Sequence, residues 1–420
     1  MLSLCLIARD EEAMLPGCLA SARGVVDEVV VIDTGSTDAT ARVAEQAGAR
    51  VVHWAWRDDF AAARNEAVAH ARGDWVLVLD ADERLAPGAL PALRKAMSQR
   101  RADAGLLRLH DAATLDAAAA DVLAGRARLG EAEWLPRLFR HTPDLQWESR
   151  VHENVRSWLR RRQNRVVRVE ADIVHLGAVP QLRAARRKQE RNLFLLRKQV
   201  QAFPRDLYAW GSLAMEAWQL GRLDEAEHAS ARGLDLLSER SESRGLRAAA
   251  IAALVALERG DDARALAAAE AGIAHDGPHP DLLFLRGWAR ERLGQLEAAI
   301  ADARAALACR GAPQDDSCIA GATTHLGQTR LGAALLLAGQ PAQARAAFEE
   351  ALRQRPGHAE AQIGAAKARL AAGDAKGALA ACEPLLARGH RDAWKVAAAA
   401  ASALGLHDDA ALFERRAAGA

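Results

Sequence analysis

Asp80 and Asp82 are separated by a single residue and follow the apolar run Trp75–Leu79. Two carboxylates so spaced, at a strand end where the chain turns, can face one ligand. Hard cations such as Mg²⁺ and Mn²⁺ take oxygen ligands and commonly bridge to a diphosphate. A metal in that place offsets the negative charge that grows on a departing nucleoside diphosphate. The same pattern also serves simply to cap the next helix, so the pair takes its meaning from its neighbours. A second acidic segment, Asp33-Thr34-Gly35-Ser36-Thr37-Asp38, follows another apolar run. There Asp33 is placed to accept hydrogen bonds from a nucleobase or ribose. Gly35 lets a ligand approach the backbone, and Ser36 or Thr37 caps a following helix. Trp56-Arg57-Asp58-Asp59-Phe60 then leads to Arg64 and Asn65, one to two turns into a helix. If that helix points its N-terminus at the site, Arg64 and Asn65 reach a diphosphate or ribose. The other reading of the two is a network tying the helix to its sheet.

These residues need a scaffold that gathers strand ends. Leu2–Ala8, Val29–Asp33, Arg50–His53 and Trp75–Asp80 read as strands, and Glu11–Ala22, Asp38–Ala47 and Asp59–Ala71 as helices between them. Three of the strands are nearly all apolar, which predicts burial on both faces and a parallel, doubly wound sheet. Ligands of such sheets sit beyond the carboxyl ends of the strands. Those ends here are Ala8-Arg9-Asp10, Asp33-Thr34-Gly35-Ser36 and Asp80-Ala81-Asp82. The Ala-rich stretch Asp111–Ala132 reads as a short helix or as a lid over the donor.

After about residue 178 the strand pattern stops. Gln181–Gln201 is rich in Arg and Lys and carries Leu193, Leu195, Leu196 and Val200. It reads as a connecting helix whose basic residues form a solvated face, with an anionic docking surface as the alternative. Beyond Pro204 the motif Gly-x-x-x-x-Ala recurs at Gly221, Gly260, Gly294, Gly339, Gly373 and Gly405, spaced by 39, 34, 45, 34 and 32 residues. Small residues allow the helices of a hairpin to approach, Gly permits the turn, and large residues fill the seam. The spacings of 39 and 45 imply insertions, notably Gly311–Gly321. The expected domains are 1–178, a connecting helix over 179–203, and helical repeats over 204–420.

The bulk numbers exclude several classes. At 420 residues two or three domains are expected. Lys+Arg (56) balances Asp+Glu (55), which predicts no nucleic-acid partner. No apolar stretch reaches the roughly 18–20 residues of a spanning helix, and the opening Leu2–Ala8 run lacks the features of a signal peptide. The five cysteines match neither a zinc site nor a disulfide framework. A cytoplasmic protein is expected, with peripheral attachment at the inner membrane as a variant.

Taken together, Leu4-Cys5-Leu6-Ile7-Ala8-Arg9-Asp10-Glu11-Glu12, Asp33–Asp38, Asp58-Asp59-Phe60 with Arg64-Asn65, and Gly73-Asp74-Trp75 through Asp80–Glu83 resemble glycosyltransferase family 2. The repeats, with period near 34, resemble tetratricopeptide repeats. Leu331, Gly332, Ala344, Phe348, Ala351 and Pro356 fall on template positions, as do Trp210, Leu213, Gly221 and Ala226. The combination is similar to lipopolysaccharide-core glucosyltransferases and bacteriocin peptide S-glycosyltransferases.

The resemblance implies an α/β GT-A fold with a mostly parallel sheet, followed by an all-α tetratricopeptide-repeat solenoid. It implies a nucleotide-sugar donor, usually UDP-linked, a divalent metal (Mn or Mg) and inversion at the anomeric carbon. Carried over, Asp33 would contact the uridine, Asp80 would lie by the ribose, and Arg9 and Arg64 would line the nucleotide site. Ala8, Gly35, Ser36, Asp58, Asn65 and Ala81 would complete the donor site. Asp82 would ligate the metal, with His175 a second ligand. The family usually has Asn where this chain has Asp10, and a carboxylate there adds negative charge near the diphosphate.

The later segment Trp147-Glu148-Ser149-Arg150-Val151-His152-Glu153 is similar to a family element in which Gly stands where this chain has Ser149. An inverting transfer needs a base for the acceptor proton. Glu153 is the first candidate and His152 the second; the alternative is that both only hold the loop. The acceptor would be a peptide, protein or glycan, and the repeats would bind that acceptor or a partner protein. Two other classes compete. One is a scaffold with a degenerate catalytic domain, which loss of Asp80, Asp82 or the His152-Glu153 pair would favour. The other is a nucleotidyltransferase, which would want a Gly/Arg/Lys-rich loop where Arg9-Asp10-Glu11-Glu12 stands.

Overall fold

The computed structural model describes residues 1–163, 165–179, 182, 188–237, 245–310 and 317–419, with Glu131 described by its backbone alone. The chain forms two compact units, Met1–Ala202 and Phe203–Ala420.

In the first unit the order of elements is β1 (Leu2–Ala8), α1 (Leu15–Ala22), β2 (Glu28–Asp33), α2 (Thr40–Gln46), β3 (Arg50–His53), α3 (Phe60–His70) and β4 (Trp75–Val78). Then come β5 (Glu83–Leu85), α4 (Ala89–Met97), β6 (Ala104–Ala112), α5 (Ala119–Leu123), β7 (Arg128–Arg140), α6 (Arg156–Arg161), β8 (Val166–His175) and α7 (Lys188–Ala202). The strands make one eight-stranded sheet in the order β3-β2-β1-β4-β7-β6-β8-β5.

The first four strands in that order run parallel, as their apolar runs predict. Side chains alternate across them. Leu4, Leu6, Val31 and Leu77 join Leu15, Cys18 and Leu93 in a core on the face covered by α1 and α4. Cys5, Val30, Ile32, Val76 and Val78 join Ala67, Val68, Trp147 and Trp158 in a core on the other face. Burial on both faces is why β1, β4 and the middle of β2 are almost wholly apolar, whereas the edge strand β3 begins with Arg50 and ends with His53.

Beyond β4 the directions are mixed. β7 runs antiparallel to β4 and β6, β8 parallel to β6, and β5 antiparallel to β8. β5 is three residues long, too short to show a period, yet its pairing sets Glu83 opposite His175. The stretch Asp111–Ala132 resolves into the end of β6, the short helix α5 and the first residues of β7. Within the connecting segment expected as one helix from Gln181, residues 181 and 183–187 lie outside the described residues, and α7 spans Lys188–Ala202.

The second unit is helical throughout its described residues. It holds six hairpins: α8 (Leu207–Gln219) with α9 (Leu223–Leu237), α10 (Leu246–Glu258) with α11 (Asp262–Asp276), and α12 (Pro280–Arg292) with α13 (Leu296–Ala308). The other three are α14 (His325–Leu337) with α15 (Pro341–Gln354), α16 (Ala359–Ala371) with α17 (Ala375–Leu386), and α18 (Arg391–Ala403) with α19 (His407–Gly419). Each turn is made by the glycine of the recurring motif, in the left-handed region at φ between 70° and 85°. The residue after each glycine donates its N–H back to a carbonyl five residues earlier, as in Arg222 to Ala217, Gln295 to Arg290 and Asp374 to Arg369, each at 2.9 Å. This closes the helix end with a Schellman bond that only a left-handed residue permits. The motif alanines Ala226, Ala265, Ala299, Ala344 and Ala378 are buried in the seams. Within the insertion, residues 311–316 lie outside the described residues; Ser317, Cys318 and Ile319 donate hydrogen bonds to buried Asp281.

Phe348 of α15 fills a seam in which two glycines take the place of side chains. A Cβ at Gly364 would lie 2.3 Å from the ring, and one at Gly332 2.9 Å. Gly364→Ala is therefore expected to destabilise the repeat unit by about 1–3 kcal/mol through overpacking, overriding the roughly 1 kcal/mol helix-propensity gain of alanine. Urea denaturation, with Gly357→Ala in open space as the control, checks this.

Candidate active site

The parallel strands bring their carboxyl ends together at one edge of the sheet. Ala8 of β1 lies opposite Asp33 of β2, and the Ala8 carbonyl accepts from the Thr34 backbone N–H at 3.0 Å and from its hydroxyl at 3.2 Å. Asp33 is buried. Its Oδ1 accepts from the Ser36 N–H at 3.1 Å and from the Ser36 hydroxyl, and its Oδ2 faces His53 Nδ1 at 3.1 Å. Gly35 adopts φ 99° in this turn, leaving open space where a side chain would stand. Asp10 braces the turn from the β1 side. It sits in the left-handed region at φ 53° and accepts from the Thr37 N–H at 2.7 Å. Arg9 is exposed, with its Nε 3.8 Å from the Asp10 carboxylate.

Asp59 caps α3 by accepting from Ala62 N–H at 2.9 Å. Asp58, left-handed at φ 55°, pairs with Lys198 of α7, and that ammonium holds its carboxyl below the usual range. Asn65 turns its amide to the Trp147 peptide, donating to its carbonyl at 3.0 Å and accepting from its N–H at 2.8 Å. It ties α3 to the loop that carries the candidate base.

Arg64 is the central cation. It is buried, with Nη2 donating to Asp80 Oδ1 at 2.7 Å and Nε to Glu153 Oε1 at 2.9 Å. One guanidinium thus joins the acidic strand end to a carboxylate 89 residues away in sequence. Partial desolvation would raise the Asp80 pKa; Arg64 and Arg137 overcome it and hold that half-buried carboxyl well below the carboxylate range. Arg137 of β7 also pairs with Glu83, whose Oε2 accepts the Asp80 N–H at 3.0 Å. Burial pushes the Glu83 carboxyl up, against Arg137. The Ala81 carbonyl accepts from Arg84 at 2.9 Å.

Asp82 is buried, and its Oδ1 lies 3.7 Å from His175 Nε2. The other ring nitrogen of His175, Nδ1, faces Asp111 Oδ1 at 2.7 Å. A carboxylate at Nδ1 fixes the proton there and turns the Nε2 lone pair toward Asp82, the usual support for a histidine that binds a metal. Burial lowers the His175 pKa, but Asp111 and Asp82 outweigh it and leave it raised. Gly177 completes the pocket. A Cβ there would stand 2.1 Å from Asp82 Oδ2 and 2.6 Å from His175 Nε2. One oxygen and one nitrogen donor facing a gap that the chain leaves without a side chain fit a divalent cation. No group of three metal-ligating side chains occurs among the described residues. Mg²⁺ and Mn²⁺ sites typically draw their remaining ligands from water and substrate phosphates.

The structure therefore brings Asp80, Asp82, Arg64, Glu153 and His175 together. Asp33, Ser36 and Ala8 lie along the neighbouring strand ends. His152, at φ 55°, precedes Glu153 in a loop that also holds Ser149 at φ 75°. The left-handed conformation at residue 149 is one that glycine adopts without strain. Arg137 and Asp111 were not singled out from the sequence. Asp111 sits where an Ala-rich run hides the end of β6, and Arg137 lies in a strand whose polar pattern gives little sign of it.

Comparison with known proteins finds likenesses in both halves of the chain. The glycosyl transferase family 2 model matches residues 3–129, and a tetratricopeptide-repeat model matches residues 335–410. A TPR repeat-containing protein of Synechococcus elongatus is 44% identical over 155 residues, which is 36% of this chain and 35% of that protein. An uncharacterized glycosyltransferase of Rickettsia felis is 37% identical over 84 residues, covering 20% of this chain and 29% of its own. The SPbeta prophage-derived glycosyltransferase SunS of Bacillus subtilis is 29% identical over 79 residues, 18% of this chain and 19% of SunS. The chain thus spans about a third or less of the length of these relatives.

Proposed function

Because the chain carries a glycosyl transferase family 2 domain at its N-terminus and tetratricopeptide repeats toward its C-terminus, we propose that it is an inverting glycosyltransferase that moves a hexose from a nucleoside-diphosphate sugar, UDP-linked, to a peptide, protein or glycan acceptor. The observation that carries this reading is the Asp80–Arg64–Glu153 bridge beside the Asp82–His175 pair. It sets an anionic, diphosphate-handling edge next to a carboxylate able to take a proton.

In this reading Asp33 and the Gly35–Ser36 turn receive the nucleoside, and Asp80 stands by the ribose. Arg9 lies at the open edge, where its guanidinium faces diphosphate oxygens. Asp82 and His175 would hold a divalent cation, which would offset charge on the leaving diphosphate. The acceptor oxygen or sulfur attacks the anomeric carbon as the bond from that carbon to the diphosphate oxygen breaks. The acceptor proton passes to Glu153, whose Oε1 is held by Arg64. The nucleoside diphosphate leaves with the electron pair of the broken bond. The repeats present the acceptor or tether a partner, since stacked hairpins make extended binding surfaces. No helix among the described residues is long and apolar enough to cross a membrane.

The test is a thermal-shift panel of UDP, GDP, CDP and dTDP sugars, each with and without Mn²⁺. A ligand bound only by the folded state raises the melting temperature. A metal-dependent rise with one nucleotide class is expected. No rise with any of them, in folded protein, overturns the reading in favour of a scaffold that works through its repeats.

Two substitutions probe the assigned roles. Glu153→Gln keeps an acceptor for Arg64 but removes the base, so kcat is expected to fall about 10²–10⁴-fold with donor affinity unchanged in calorimetry. Near-normal turnover would move the role of base to His152. Asp111→Ala releases His175 from its orientation and is expected to weaken Mn²⁺ binding about 10–100-fold, read by electron paramagnetic resonance of free Mn²⁺ without any turnover.

A further inference from the structure

The basic helix α7 carries no part of the proposed chemistry, yet it grips both loops that flank the candidate base. Gln199 is buried, and its Oε1 accepts the Arg150 backbone N–H at 3.2 Å. The adjacent Lys198 pairs with Asp58. Two turns earlier, the Arg191 guanidinium lies 5.1 Å from the centre of the Phe60 ring. Arg150 then locks the two loops to each other. Its carbonyl accepts from Phe60 N–H at 2.9 Å, its guanidinium donates to the Asp58 carbonyl at 3.3 Å, and it lies 3.8 Å from the Asp59 carboxylate.

The loops so held are conformationally unusual. Asp58, Ser149 and His152 are all non-glycine residues in the left-handed region, at φ 55°, 75° and 55°. Such backbone persists only where its surroundings over-determine it. Neither loop belongs to a helix or strand that could supply the constraint, apart from the isolated bridge between Glu148 and Asn154. The constraint comes from Arg64 and Asn65 of α3 on one side and from α7 on the other.

We propose that α7 is a clamp on the catalytic loops, in which Gln199 and Lys198 are positioning residues that hold the Ser149–Glu153 backbone in the conformation that presents Glu153. The part of this that concerns turnover rests on Glu153 being the base; the clamp itself does not.

The test uses the full-length chain. Gln199→Met keeps the volume and removes the acceptor, Gln199→Glu keeps an acceptor at the same reach, and Lys198→Met removes the more exposed grip without touching buried structure. Amide hydrogen exchange is followed in the peptide covering Trp147–Glu153, alongside kcat and donor KM. In Gln199→Met, exchange in that peptide is expected to quicken about tenfold or more while β1 and β4 keep their protection. The same variant is expected to lose kcat by about tenfold with donor KM within about twofold, the signature of a group misplaced for the chemical step alone. Gln199→Glu should restore both, and Lys198→Met should show the same pattern at smaller amplitude. Unchanged loop exchange in both Met variants overturns the clamp, as does a uniform rise across the whole unit. Faster loop exchange with unchanged kcat upholds the clamp and removes Glu153 from the mechanism.

Discussion

Replacing Gly177 by alanine is expected to weaken divalent-cation binding at the proposed Asp82–His175 site severely and to leave the fold intact. The added methyl would stand 2.1 Å from Asp82 Oδ2 and 2.6 Å from His175 Nε2, closer than any real Cβ approaches such atoms. The backbone cannot simply retreat, because the neighbouring Leu176 N–H donates to the Asp82 carbonyl at 2.9 Å. Either donor must therefore swing away, and a site with two protein donors tolerates the loss of neither. Mn²⁺ affinity is expected to fall by about 100-fold or more, matching Asp82→Ala, with circular dichroism and the melting midpoint close to wild type. Wild-type affinity for Mn²⁺ in Gly177→Ala would show that the cation lies elsewhere.

The second large effect concerns stability. Arg64→Leu removes the one guanidinium shared by Asp80 and Glu153. The Arg64 and Glu153 side chains are 8% and 16% exposed, so the orphaned Glu153 has little water to turn to. Asp80 is better placed, with its side chain 42% exposed and Arg137 3.7 Å away. Breaking a buried pair from one side costs about 3–5 kcal/mol, and the exposure of Asp80 brings the expectation here to about 2–4 kcal/mol. Arg64→Lys should recover little of it, because an ammonium cannot span two carboxylates as a planar fork does. The decisive variant adds Asp80→Asn and Glu153→Gln to Arg64→Leu. Neutral partners no longer need the cation, so urea denaturation should show much of the loss recovered. Simple additivity of the three changes would mean that Arg64 does not serve the two carboxylates jointly.

What could be read from the sequence follows from how local each feature is. β1 and β3 have the limits read from the sequence: β1 is buried along most of its length and ends where polar residues begin, and β3 is a short edge strand with Val51 and Val52 set between Arg50 and His53. The glycine and alanine of each hairpin were legible for a similar reason, since turn and seam lie five residues apart. The first turn of α1 was not, because Glu11–Met14 is helix-compatible sequence used for a turn whose N–H groups bond Thr40 and Asp38. The polar connections of the site were not legible either. Arg64 meets Glu153 across 89 residues, Asn65 meets Trp147 across 82, His175 meets Asp111 across 64, and Arg137 meets Glu83 across 54. No local period encodes such pairings. The His175–Asp111 pairing exists because β6 and β8 lie side by side, and β5, which sets Glu83 opposite His175, is too short to announce itself.

The six glycine-closed hairpins have a thermodynamic consequence. Among the described residues, each helix of the second unit packs chiefly on the next two in sequence. A linear array of that kind need not melt as one body. The sheet of the first unit is the opposite case, with β5 pairing to β8 across some ninety residues. One polypeptide thus joins an all-or-none folding unit to a nearest-neighbour chain, and calorimetry should resolve a sharp transition alongside a broad one.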